Sequence, residues 1–125
     1  MTGIILVTHS GLGESLRHQA EVILGHPLRI TTVAVVENTD PNAVLSELIG
    51  AIAASMDPDG ALILTDLPGA TPHNLAVQAA ARHALPVVSG LSLPMLLKAG
   101  SHSDKPAEQL AQLADLGGRQ GIIQR

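Results

Sequence analysis

Short runs of branched aliphatic residues alternate along the chain with longer stretches in which apolar positions recur every three or four residues. Gly3 to Thr8 is such a run, closed by the turn-forming Ser10-Gly11, and predicts a buried strand. Leu12, Leu16, Ala20, Ile23 and Leu24 share one helical stripe and predict a helix from about Gly13 to Leu24, stopped by Gly25 and Pro27. Ile30 to Val36 is a second strand. Asp40-Pro41 then caps a helix whose stripe is Val44, Leu45, Leu48, Ile49, Ile52 and Met56, ended by Asp57-Pro58-Asp59-Gly60. Ala61 to Thr65 is a third strand, Asp66 to Ala70 a loop, and Thr71-Pro72 an N-cap with proline at the first helical position, leading a helix to about His83. Pro86 to Ser89 is a fourth strand and Leu91 to Lys98 a partial helix. Ser103 to Pro106 starts a last helix that ends at Gly117-Gly118, and Gly121 to Arg125 is expected to add a short antiparallel edge strand.

Strands separated by helices imply βαβ crossovers and a mainly parallel sheet covered on both faces. The expected fold is therefore a small doubly wound α/β domain over residues 1–125, with strand order 2-1-3-4. Ligands of such sheets gather outside the carboxyl ends of the strands, where the winding reverses. That edge carries Thr8-His9-Ser10-Gly11 after the first strand and Thr65-Asp66-Leu67-Pro68-Gly69-Ala70-Thr71-Pro72 after the third. Neighbouring first and third strands would bring His9 and Asp66 together.

Composition narrows the chemistry. The 125 residues carry a net charge of −4 and no Phe, Trp or Tyr, so there is neither a basic footprint for a phosphate backbone nor a large aromatic platform for stacking bases. No nucleic-acid partner is expected. The absence of cysteine removes disulfides, thiolate metal sites and cysteine nucleophiles together. The apolar start is one strand long, far short of the roughly 20 residues that span a bilayer, and a soluble cytoplasmic protein is expected.

A carboxylate that accepts a hydrogen bond from one nitrogen of an imidazole fixes its tautomer and leaves the other nitrogen's lone pair free. His9 beside Asp66 would be such a directed nucleophile. Thr71 and free amides near a helix N-terminus would supply donors for an oxyanion, with phosphate the natural fit. Ser10, Gly11, Gly69 and Ala70 are the candidate phosphate-binding loop residues. Leu12, Leu67, Pro68 and Met95 form a candidate apolar docking rim around the histidine. Other readings are weaker. Gly11-Leu12-Gly13 with Glu37 imitates a dinucleotide fingerprint, but Leu16 stands at the third glycine position. A hydrolase built on Ser10, His9 and Asp66 lacks the G-x-S-x-G elbow. The remaining histidines, His18, His26, His73, His83 and His102, show no metal-binding pair, and neither metal nor cofactor is expected.

Val7-Thr8-His9-Ser10-Gly11, Leu64 to Asn74 and Gly90-Leu91-Ser92-Leu93-Pro94-Met95-Leu96 together resemble, in order and spacing, the motif segments of enzyme IIA components of the bacterial phosphotransferase system, mannose class (the fructose subfamily IIA domain). The resemblance implies a phosphoryl carrier that accepts a phosphoryl group from the carrier protein HPr and passes it to a IIB component. Position by position, it makes His9 the phosphorylated residue, Asp66 its orienting carboxylate and Thr71 a phosphoryl-binding hydroxyl. It also implies a homodimer in which the C-terminal strand crosses to the partner; in this sequence Gly117-Gly118 would be the flexible hinge that lets the strand reach across. Leu67 and Pro68 depart from the polar and aromatic residues of the best-known mannose transporters, which leaves the IIB partner undetermined. Two further readings stand beside it: the phosphoryl donor subunit of a dihydroxyacetone kinase, and a non-enzymatic regulatory module read out by His9 phosphorylation.

Overall fold

The computed structural model describes all 125 residues, Met1–Arg125. The chain runs β1 (Gly3–His9), α1 (Leu12–Leu24), β2 (Ile30–Val35), α2 (Pro41–Ser55), β3 (Ala61–Thr65), α3 (Thr71–Ala80), β4 (Val87–Ser89), α4 (Leu93–Ser101) and α5 (Ala107–Gln120). A single 3-10 turn, Ala81–His83, extends α3. All strand pairs are parallel and the order is β2-β1-β3-β4, as the alternation of elements requires.

The two central strands, β1 and β3, are buried on both faces, which is why they read as unbroken aliphatic runs. Their alternation still decides which helical layer each side chain meets. Ile5, Val7 and Ile63 pack against Val44, Leu48 and Ile52 of α2 and Leu75, Ala76 and Ala79 of α3. Ile4, Leu6, Leu62 and Leu64 face Ala20 of α1, Leu96 and Ala99 of α4, and Leu110 and Ala114 of α5. Burying one such Leu, Ile or Val contributes about 1.5–3 kcal/mol relative to leaving it in water. The frame that carries the carboxyl-end loops is thus fixed from both sides.

Three local expectations are corrected. Asp40 does cap α2 through Asn42 N–H at 3.0 Å, but the N-cap of α3 is Ala70, and Thr71 is its first helical residue. Met95 is a core residue, only 4% exposed. The largest change is at the C-terminus. Helix α5 continues through Gly117-Gly118 to Gln120, and the following residues form no strand; Ile122 and Ile123 project into solvent, 82% and 69% exposed. The glycines are there for close approach. A Cβ on Gly117 would lie 2.4 Å from Lys98 Cβ, one on Gly118 2.9 Å from Met95 Cε, and one on Gly121 2.5 Å from Pro94 Cγ. They form the face on which α5 lies against α4, so in this structure Gly117-Gly118 is packed within a helix and is not an open hinge.

Candidate functional site

In the parallel register Val7 pairs with Thr65, so the residues that follow, Thr8-His9 and Asp66, emerge side by side where the sheet reverses its winding. The end of β1 is held toward α1 and toward β2. Thr8, buried, accepts Gly13 N–H on its hydroxyl at 2.9 Å and so supports the first turn of α1. Ser10 donates its backbone N–H to Val35 of β2 at 2.9 Å. Its φ of 45° lies in the left-handed region, sparsely used by residues with a Cβ, so the chain turns sharply just after His9. His9 itself is left 51% exposed.

Asp66 grips His9 twice with one oxygen. Oδ2 accepts the His9 backbone N–H at 2.9 Å and lies 2.8 Å from His9 Nδ1, while Oδ1 accepts Leu67 N–H at 3.0 Å. Burial pushes the Asp66 carboxyl up, but the His9 backbone N–H, the His9 ring hydrogen bond and the attraction of the ring's charge outweigh it and hold the group below the usual carboxylate range. The group is therefore ionised at neutral pH and can only accept. The proton of a neutral His9 accordingly sits on Nδ1, and Nε2 keeps its lone pair.

His9 opens onto a cleft of about 510 Å³ lined also by Ser10, Val35, Val36, Glu37, Asn38, Thr39, Pro41 and Thr71. Thr71, at the exposed N-terminus of α3, is engaged in no cap, so its hydroxyl is available to a ligand. Of the loop candidates, Ser10 lines the cleft, but its amide is spent on Val35 and that of Ala70 on Leu67 at 3.3 Å. Gly11 and Gly69 stand just outside the lining, and Gly69 takes φ 82° to turn the loop toward α3. The docking candidates divide: Leu12 and Leu67 are 44% and 56% exposed and Pro68 is exposed, whereas Met95 lies under the surface against α5.

Sequence reasoning missed the third wall. Glu37-Asn38-Thr39, the loop from β2 to α2, reaches the cleft because β2 ends at the same edge as β1. The signal was present in that topology and in the polar run before the Asp40 cap. It also missed Val36, 51% exposed, as a member of the apolar rim. His73, in the first turn of α3, is half-buried, with Nδ1 2.8 Å from the hydroxyl of the fully buried Thr65, a contact that no local pattern announced.

Comparison with known proteins bears on the same residues. The family model of the phosphotransferase system fructose IIA component matches residues 3–116. The sorbose-specific EIIA component of Lacticaseibacillus casei is 32% identical over 104 residues, covering 76% of this chain and 69% of that protein. Among solved structures, the mannose/sorbose specific IIA subunit from Enterococcus faecalis superimposes with a TM-score of 0.90 at 25% identity, covering 99% of this chain and 94% of the other. The EIIA component from Streptococcus agalactiae gives a TM-score of 0.84 at 25% identity over 99% and 97% of the two chains. A match that begins with β1 and reaches into α5, taking in both halves of the His9–Asp66 pair, means that the chain belongs to the enzyme IIA family of the phosphotransferase system, in its mannose/sorbose class.

Proposed function

We propose that the protein is a phosphoryl carrier in which His9 Nε2 takes a phosphoryl group from phosphorylated HPr and hands it to a IIB component. The observation that carries this reading is the double hold of Asp66 Oδ2 on the His9 backbone and ring, at 2.9 and 2.8 Å. In the transfer, the Nε2 lone pair forms the new N–P bond as the donor's N–P bond breaks and its electron pair returns to the donor ring. The proton on Nδ1 stays on the bond to Asp66, and the positive charge that grows on the imidazole is offset by the carboxylate beside it. The Thr71 hydroxyl and the positive end of α3 face the same cleft and suit the phosphoryl oxygens.

Leu12, Val36, Leu67 and Pro68, exposed around His9, form the rim on which HPr and IIB dock. The likeness to a sorbose-specific component favours a role in sugar uptake over the donor subunit of a dihydroxyacetone kinase or a purely regulatory module. No helix is long and apolar enough to cross a membrane, which suits a cytoplasmic partner of a transporter. A second copy of the chain, covering the exposed Ile122 and Ile123, would make the homodimer. The test is incubation with phosphoenolpyruvate, enzyme I and HPr. An acid-labile, base-stable phosphate on this chain, lost in His9→Gln, supports the reading; a chain that takes no phosphate refutes it.

A further inference from the structure

We infer that His73 is a positioning residue for the transfer at His9: its bond to Thr65 locks the β3–α3 loop so that Asp66 and Thr71 present themselves in register. The inference rests on the phosphoryl-carrier reading above. The two groups that act on His9 and its phosphate stand at opposite ends of this loop, Asp66 at its start and Thr71 at its end. Between them Leu67, Pro68 and Gly69 are exposed and bring no core of their own; beyond the turn bonds of Leu67 N–H to Asp66 Oδ1 and Ala70 N–H to the Leu67 carbonyl, the loop depends on how its two ends are anchored. Thr65 and His73 flank the loop just beyond Asp66 and Thr71, and they are joined by a side-chain hydrogen bond of 2.8 Å.

Thr65 is well suited as the fixed end. It is fully buried, it pairs with Val7 of β1 and Ser89 of β4, and its carbonyl accepts Leu91 N–H at 2.9 Å. His73, in the first turn of α3, thereby ties that helix to the strand, and the next residue, Asn74, donates its side-chain amide to the Gly69 carbonyl at 3.1 Å. The loop is clasped at its base and its middle. Ser89, beside Thr65 in the register, has a buried hydroxyl that finds no partner and makes no bond to Thr65, so His73 alone holds the Thr65 side chain. With the His73 bond gone, the buried Thr65 hydroxyl has reason to move in search of a partner, and Asp66 is the very next residue.

The test compares variants in transfer from phosphorylated HPr, with the ring ¹⁵N signals of His9 as a second readout. His73→Phe keeps a ring and loses both nitrogens. Thr65→Val breaks the same bond from the other side with nearly unchanged shape. His73→Asn returns a polar atom to the position of Nδ1. We expect both bond-breaking variants to lower the maximal transfer rate about 10- to 100-fold, the scale on which small misplacements act. The donor concentration at half-maximal rate should hold, and the His9 signals should move toward a mixture of tautomers. His73→Asn should recover most of the rate and the signals. Wild-type rates and His9 signals in Thr65→Val and His73→Phe, whatever their melting temperatures, overturn the inference alone. A wild-type chain that takes no phosphate on His9 overturns the carrier reading and this inference with it.

Discussion

Two seams of the molecule are built on opposite principles. Where β1 and β3 end, an exposed imidazole is held by directional bonds: Asp66 takes the His9 amide and ring on one oxygen, and Ser10 is pinned to β2. Where α4 and α5 meet, shape replaces direction. Gly117, Gly118 and Gly121 let the helices approach until Lys98, Met95 and Pro94 fill the space that side chains would occupy. A directional seam tolerates solvent and leaves one nitrogen free for chemistry. A shape-matched seam is held by close packing and serves stability. Atom changes at the first should therefore act on rate and at the second on folding, and substitutions can set the two against each other.

The sharpest contrast is Asp66→Asn, which preserves size and removes the ionised acceptor. Loss of one such electrostatic partner costs on the order of 10²–10³ in rate, so transfer measured by rapid quench should slow by that factor while the melting temperature changes little. An unchanged rate would make Asp66 purely structural. Across the molecule the effect should invert. Met95→Ala, a cavity in the core, should cost about 2–5 kcal/mol in denaturant unfolding, with transfer by the folded fraction unaltered. Leu67→Asp, its counterpart on the exposed rim, should leave stability within about 0.5 kcal/mol yet weaken HPr binding. Equal behaviour of these two would erase the distinction between rim and core.

A smaller effect is expected from Gly117→Ala, whose methyl would meet Lys98 Cβ at 2.4 Å; overpacking of this kind costs about 1–3 kcal/mol. A hinge glycine would accept alanine without that loss. The smallest is a pH effect. Because the folded protein holds the Asp66 carboxyl below its ordinary range, the stability it contributes is complete above the unfolded value near pH ~4 and is lost as pH falls through the folded one. The stability advantage of wild type over Asp66→Asn should shrink as the pH falls below that point.

These seams also differ in how far the amino-acid order disclosed them. The bounds of β3 and the order β2-β1-β3-β4 follow from aliphatic runs and connection lengths, and the meeting of His9 with Asp66 follows in turn, since parallel neighbours end at one edge. Met95 and Gly117-Gly118 could not be read that way. A methionine after a proline and a glycine pair in a terminal helix carry the same local signals whether they face solvent or a neighbour, and only the close approach of α4 to α5 decides. Thr71 shows a one-residue shift of the same kind: Thr-Pro is a sound helix start, but the turn after Gly69 places the cap on Ala70 and frees the hydroxyl. His73 escaped because its partner, Thr65, is eight residues back and on another element.

The central claim is that Asp66 holds the Nδ1 proton of His9 and thereby directs chemistry to Nε2. Nuclear magnetic resonance of the ¹⁵N-histidine protein after phosphorylation by phosphoenolpyruvate, enzyme I and HPr tests it directly, because phosphorus couples to the nitrogen it is bonded to. The account predicts one phosphorylated ring, His9, with phosphorus on Nε2 and a proton retained on Nδ1. Phosphate on Nδ1 of His9, or on the ring of any other histidine, would contradict it.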